Sequence, residues 1–252
     1  MRGYMKTWCA IGDSFTYLND HLDETGYRVT KGYLSRILER LPGLTLINIG
    51  VNGSTTQDWL DITIPLADIY TVLLGTNDWH RQIPLGAETD FTQKKPGTIL
   101  GNLGVLIKNI YAVNQKAKIL VLNPVERGDF ICILDTLNQA QGSYAEEAGV
   151  MLSEVSDAIY QCAKHAGLPA LDLHKECGFT QENVVYFKRV KEDGTVKDLP
   201  FPDYIGVPYN PETDEYPYPI EAVNLTYDGL HPSDKGNEVL AKVIAKELEK
   251  LI

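Results

Sequence analysis

Cysteine is scarce in this chain. The four at positions 9, 132, 162 and 177 are far apart and form no C-x-x-C pair. That excludes a disulfide scaffold and a structural zinc module, and it predicts free, mostly buried thiols. Basic charge is scarce too: 23 Lys and Arg stand against 34 Asp and Glu, a formal net charge of −11, with no basic stripe. Neutralising phosphates takes clustered cations, so nucleic acid and anionic membrane surfaces are disfavoured as partners. No apolar run approaches the roughly 20 residues of a membrane span. Met1 to Lys6 has no apolar segment leading to a cleavage site, which predicts a cytoplasmic protein; a secreted one already stripped of its leader would read the same way. No repeat, low-complexity tract or linker divides the chain, so a single domain over residues 1–252 is expected. With 44% hydrophobic and 23% charged residues it can bury a full core.

What is present is an alternation of short apolar runs and helical periodicity. Thr7 to Ile11 reads as a strand buried on both faces, and Gly12 ends it. Thr30 can cap a helix whose apolar positions, Tyr33, Leu34, Ile37, Leu38 and Leu41, share one face, and Pro42-Gly43 stops it. Further strands are predicted over Leu44–Ile49, Asp68–Leu74, Ala117–Asn123 and Pro169–Leu173. Between them lie a short helix from Thr56 to Ile62, a loop over 80–96, and a helix from Thr98 to Asn114. The stretch from Glu126 to Val150 reads mainly as loop despite the capping-box form of Ser143-Tyr144-Ala145-Glu146, with a helix beginning near Ser153. Residues 178–226 break the rhythm as an insertion. Val184–Val190 and Thr195–Leu199 read as a hairpin turning at Asp193-Gly194. Pro200 to Tyr227 then holds six of the 13 prolines and five of the 14 tyrosines, a rigid loop with aromatic faces. A helix from Ser233 to Leu251, with Glu238 and Lys242 as an i,i+4 pair, closes the chain.

Chemistry concentrates where the strands end. Ser14 follows the first strand, two glycines follow the second in Gly50-Val51-Asn52-Gly53, and Asn77 follows the third in Gly75-Thr76-Asn77-Asp78. In open α/β sheets the carboxyl ends of the strands are where ligands collect. Before the last helix stands Tyr227-Asp228-Gly229-Leu230-His231-Pro232, where a carboxylate three residues from an imidazole can accept the Nδ1 proton and leave Nε2 as a base.

These blocks resemble the SGNH hydrolases, the superfamily that includes the GDSL esterases and lipases. Gly12-Asp13-Ser14 matches the first block, with Phe15 where many members carry leucine. Asn48 to Gly53, Gly75 to Asp78 and Asp228 to Pro232 match later ones, while Arg81 to Leu225 carries no motif that aligns. The resemblance implies a three-layer α/β/α sandwich around a five-stranded parallel sheet in flavodoxin-like order, with the insertion added before the C-terminal helix. It implies a carboxylic ester hydrolase with Ser14 as nucleophile, His231 as base and Asp228 orienting it. The oxyanion would be held by the N–H groups of Ser14 and Gly53 and the amide of Asn77, each donor worth roughly 3 kcal/mol of barrier.

Asp13, Trp79, His80 and Tyr227 neighbour these residues and are candidates for the substrate pocket, although Asp13 and Asp78 can equally tie down turns. The loops over 79–96 and 124–150 are candidates to shape it, and the tyrosines of 200–227 either wall its acceptor side or pack the insertion. The expected substrate is a small-molecule or carbohydrate ester with a short, acetyl-like acyl group. A lysophospholipase or acyl-CoA thioesterase, or a non-catalytic carbohydrate-binding protein, is the alternative. No metal or cofactor is expected, since hydrolysis by a triad needs none. An α/β-hydrolase would need G-x-S-x-G, but position 16 is Thr; a D-x-D phosphatase fails because position 15 is Phe.

Overall fold

The structure, a computed structural model, describes residues 5–252; the first four, part of the stretch read for a leader, lie outside the described residues. Along the chain, β1 (Lys6–Gly12) runs into the four-residue α1 (Ser14–Tyr17), and α2 (Tyr33–Arg40) leads to β2 (Leu44–Asn48). A 3-10 turn at Thr56–Trp59 precedes β3 (Ile69–Leu73), α3 (Thr76–His80), α4 (Glu88–Gln93) and α5 (Ile99–Val113). After β4 (Lys118–Leu122) come the two-residue strands β5 (Phe130–Ile131) and β6 (Gln139–Ala140), then α6 (Leu152–His165), β7 (Ala170–Leu171) and α7 (Leu173–Glu176). The hairpin of β8 (Phe187–Glu192) and β9 (Thr195–Pro200), followed by a long loop, reaches α8 (Asp234–Glu249).

Five strands form one parallel sheet in the order β2-β1-β3-β4-β7. Because β1 and β3 sit inside that sheet, their apolar runs are buried on both faces and their side chains divide by parity. Trp8 and Ala10 of β1 join Leu34 and Ile37 of α2 and Leu240 and Ile244 of α8 in one core. Cys9 and Ile11 point the other way, into a core with Leu103 and Leu106 of α5 and Val155 and Ile159 of α6. This is the expected α/β/α sandwich. The chain leaves β1 for opposite sides of the sheet at β2 and β3, which makes the carboxyl ends of β1 and β3 the switch point where such sheets bind ligands.

Several local expectations are corrected. Thr30 does not cap α2, whose N-cap is Gly32; Thr30 instead donates through its N–H and hydroxyl to Asp234 at the start of α8. The 80–96 loop contains α4, begun by Asp90 accepting from Ala87 N–H at 2.9 Å and held by buried Phe91. The loop reading of Glu126–Val150 holds: Ser143 starts no helix, because its hydroxyl is drawn to Glu126 and to the Arg127 carbonyl. The fifth sheet strand is cut to two residues where Asp172 caps α7. Glu238 pairs across to Arg36 and Arg40 of α2, not along its helix to Lys242.

The hairpin begins at Phe187, three residues later than predicted, since Val184 and Val185 are drawn into the core. Its turn is Asp193-Gly194 as read, both with positive φ, the geometry of a type I′ turn. Tyr204, Tyr209, Tyr216 and Tyr218 of the following loop pack against the core beneath the insertion, while Tyr227 lies against His231. Tyr204 and Tyr218 are buried, and Tyr218 donates to the Asp129 carbonyl at 2.6 Å. All four cysteines are free and three are buried.

Candidate active site

Ser14 stands where β1 gives way to α1. A side chain at Gly12 would put a Cβ 2.2 Å from Thr16 Oγ1 and 3.0 Å from the Leu73 carbonyl, so only glycine lets the chain turn this tightly against β3. Asp13 then caps α1, its carboxylate accepting from Phe15 N–H at 3.1 Å. The loop after β2 is pinned to the same strand end, with Val51 N–H donating to the Gly12 carbonyl at 3.0 Å. Gly53 takes the positive φ of 69° that glycine tolerates best. Asn77 lies in the first turn of α3, its amide donating to the Ser54 carbonyl at 3.0 Å and lying 3.5 Å from Asp13 Oδ2.

From the far end of the chain comes the turn before α8. Asp228 Oδ1 accepts from the N–H groups of Leu230 (3.0 Å) and His231 (2.7 Å), and Oδ2 meets His231 Nδ1 at 2.7 Å. His231 Nε2 lies 2.8 Å from Ser14 Oγ, across 217 positions of sequence. The segment after β4 clamps this turn, Gly128 N–H reaching the Gly229 carbonyl at 2.8 Å and Ile131 N–H the Asp228 carbonyl at 3.2 Å. Phe130 sets its ring edge-on to the imidazole at 5.3 Å, and Tyr227 stacks on it at 6.0 Å. With Asp228 2% and His231 8% exposed, the carboxylate–imidazole pair is shielded from bulk water.

Ser14, Gly53, Asn77 and His231 line one cavity of about 240 Å³. The Ser14 and Gly53 N–H groups donate to no other described residue, so they and the Asn77 amide border it as free or shareable donors. A smaller space of about 100 Å³, lined by Leu134, Tyr227 and Asp228 among others, adjoins it through Asn52, Phe130, Asn138 and His231.

A family model of the GDSL-like Lipase/Acylhydrolase family matches residues 10–239. The chain belongs to that family. Among solved structures, a possible lipase from Chitinophaga pinensis shares 43% identity over 98% of both chains with a TM-score of 0.95. A protein from Lactobacillus plantarum shares 21% identity over 98% of this chain and 97% of its own (TM-score 0.63). A carbohydrate acetylesterase family member from Sinorhizobium meliloti shares 14% over 98% and 99% (TM-score 0.53), a likeness of fold alone. No curated protein matches.

Within this GDSL-family chain the four pocket candidates separate. His80 lines the cavity, and Tyr227 lines the adjoining one. Asp13 does not line it: buried beneath the serine turn, its carboxyl is pushed up to about 7 by loss of water. Trp79 is buried behind the lining, donating to the Val150 carbonyl at 2.8 Å. Asp78 ties down a neighbouring turn, accepting from Thr56 N–H and hydroxyl, and burial raises it to about 6. Burial, and secondly the charge of Arg127, lowers the pKa of His80, whose Nδ1 lies 3.4 Å from Glu147 Oε1 without an aligned hydrogen bond. None of the lining comes from 200–226, so the insertion's tyrosines do not wall this cavity.

The loops over 79–96 and 124–150 do shape the cavity, through His80 and Arg81 and through Arg127, Phe130, Asn138 and Ala140, although of these residues the sequence reading singled out only His80, and it gave Asn52 no role. Arg127 had a signal. It stands five residues past the end of β4, the same strand-end position that singled out Ser14 and Asn77. Among the described residues, no group of three or more His, Cys, Asp or Glu could hold a metal ion, and no helix is long and apolar enough to cross a membrane.

Proposed function

We propose that this chain is a serine esterase cleaving short-acyl carboxylic esters, acetyl esters foremost, of a polar alcohol such as a carbohydrate. The observation that carries the reading is the unbroken relay from Ser14 Oγ to His231 (2.8 Å) to Asp228 (2.7 Å) beside a set of free N–H donors. Ser14 Oγ attacks the ester carbonyl as His231 Nε2 takes its proton, and Asp228 stabilises the imidazolium. Negative charge gathers on the carbonyl oxygen, where the Ser14 and Gly53 N–H groups and the Asn77 amide meet it. The intermediate collapses as His231 returns the proton to the leaving alcohol, leaving an acyl-serine. Water, deprotonated by the same imidazole, then releases the acid and restores Ser14.

The short-acyl preference rests on size and polarity. About 240 Å³ falls below the roughly 300–1,000 Å³ of drug-sized ligand sites, and three asparagines contribute to the lining. A fluorophosphonate probe tests the reading: it should label the native chain at Ser14 and leave Ser14→Ala unlabelled. p-Nitrophenyl acetate should be turned over faster than the octanoate. Absence of labelling would leave a binding protein, and faster octanoate turnover would move the substrate to lipids or acyl-CoA.

A further inference from the structure

The cavity beside Ser14 has a charge opposite to the molecule's. The chain carries −11 overall, yet the lining holds Arg81 and Arg127 and no aspartate or glutamate. Arg81, at the end of α3, brings its Nη2 to 3.4 Å from where a Cβ on Gly53 would stand, so one cation sits beside the proposed oxyanion donors.

Arg127 is the more informative of the two. Only 1% of it is exposed, and its Nε and Nη2 have no hydrogen-bond partner among the described residues. Its guanidinium lies over the Trp79 ring at 5.7 Å, which fixes it without neutralising it. Burial lowers its pKa only to about 10, so it stays charged at neutral pH. The acidic groups around it are engaged elsewhere. Asp228 serves His231, Asp129 accepts from Lys188, Gly142 N–H and Tyr144, and Glu147 faces His80 and Gln82. A buried, unpaired guanidinium is costly unless something compensates it. Elsewhere in the same chain Arg189 meets Asp198 through its Nε and Nη2 at 2.7 and 2.9 Å. Arg127 borders the catalytic cavity with no such partner, and its charge is spread over three nitrogens, so an anion arriving from the cavity compensates it.

Resting on the esterase reading above, we propose that the substrate is an anionic ester, whose carboxylate is held by Arg127 with Arg81 as a second cation while Ser14 attacks the ester carbonyl. The carboxylate can belong to the acyl part, as in a hemiester of a dicarboxylic acid, or to the alcohol part, as in an O-acetylated hydroxy or sugar acid.

Two matched substrate pairs separate these sources: p-nitrophenyl hydrogen succinate against p-nitrophenyl butyrate, and 4-acetoxybenzoate against 4-acetoxybenzamide. Rates are compared as kcat/KM directly within each pair, because the succinate's spontaneous hydrolysis runs through its own neighbouring carboxylate and does not measure its reactivity toward Ser14. One pair should favour the anion by about tenfold or more, the scale of one hydrogen-bonded charge, and Arg127→Met should remove most of that preference. Arg81→Gln alters an exposed side chain and keeps the test open should the buried variant fail to fold; it should lower the same ratio. Equal rates within both pairs in the parent protein, or ratios unmoved by both variants, would overturn the proposal. Fluorophosphonate labelling of Ser14 tells its failure from that of the esterase reading, since labelling with equal rates defeats only the anion site. If Ser14 is not labelled, succinate binding followed by calorimetry in the parent and Arg127→Met still decides the anion site: loss of binding in the variant supports it, and no binding to the parent overturns it.

Discussion

Asp13 sits under the serine turn, and its ionisation couples the site to stability. A carboxyl whose pKa rises on folding, here to about 7 by burial, binds its proton more tightly in the native than in the unfolded chain. Its contribution is therefore intact below about pH 4 and lost as pH climbs through 7. Urea denaturation of the parent at pH 5 and pH 8 should show a larger fall than in Asp13→Asn, which keeps an acceptor for Phe15 N–H and cannot ionise; equal falls would show that Asp13 titrates normally. Asn77 makes a different demand. Its amide is held by the Ser54 carbonyl, and a carboxylate there would face both the developing oxyanion and Asp13. On p-nitrophenyl acetate, Asn77→Asp should lose about 10²–10³ in kcat, the range for one oxyanion donor, and fall below Asn77→Ala. An aspartate variant as active as the alanine one would remove Asn77 from that role.

At the scale of elements, the hairpin insertion is held to the site's wall by one buried ion pair. Lys188 of β8 is 2% exposed and donates to Asp129 Oδ2 at 2.8 Å and to the Val207 carbonyl at 2.5 Å, next to Phe130 against the imidazole. Lys188→Met strands a carboxylate and should cost about 3 kcal/mol. Arg189→Met, at the next residue along β8, breaks a surface pair with Asp198 across the hairpin and should cost less than about 1 kcal/mol. Denaturant midpoints compare the two directly, and equal costs would mean that Lys188 contributes no more than a surface charge. This anchor could not have been read in advance, because Asp129 and Lys188 are 59 positions apart and neither belongs to a periodic pattern. The long elements were legible for the opposite reason: β1, β3, α5 and α8 carry their burial in their own spacing. α4, with one buried side chain in six residues, carries almost no pattern, and it was hidden inside a loop reading.

For the whole molecule, the decisive fact is that Ser14 and His231 come from opposite ends of the chain and meet only through the fold. Their neighbourhood was legible because both abut tightly constrained turns, at Gly12 and at Gly229, where backbone geometry dictates residue type. For Arg127 only its place after a strand end was legible, since what distinguishes it is a missing partner, a property of three dimensions. The meeting point is secured from several sides: the loop after β2 on β1, the segment after β4 on the Asp228 turn, and α8 on α2 through Asp234 and Arg36 at 2.6 Å. No single element owns the site, so it should melt with the whole domain. In a urea series, fluorophosphonate labelling at Ser14 should fall along the same transition as the near-ultraviolet signal of the buried tryptophans, Trp8, Trp59 and Trp79. Labelling lost at clearly lower urea would instead mark the turn carrying Asp228 and His231 as a separately opening unit, held less firmly than its bonds to Gly128 and Ile131 imply.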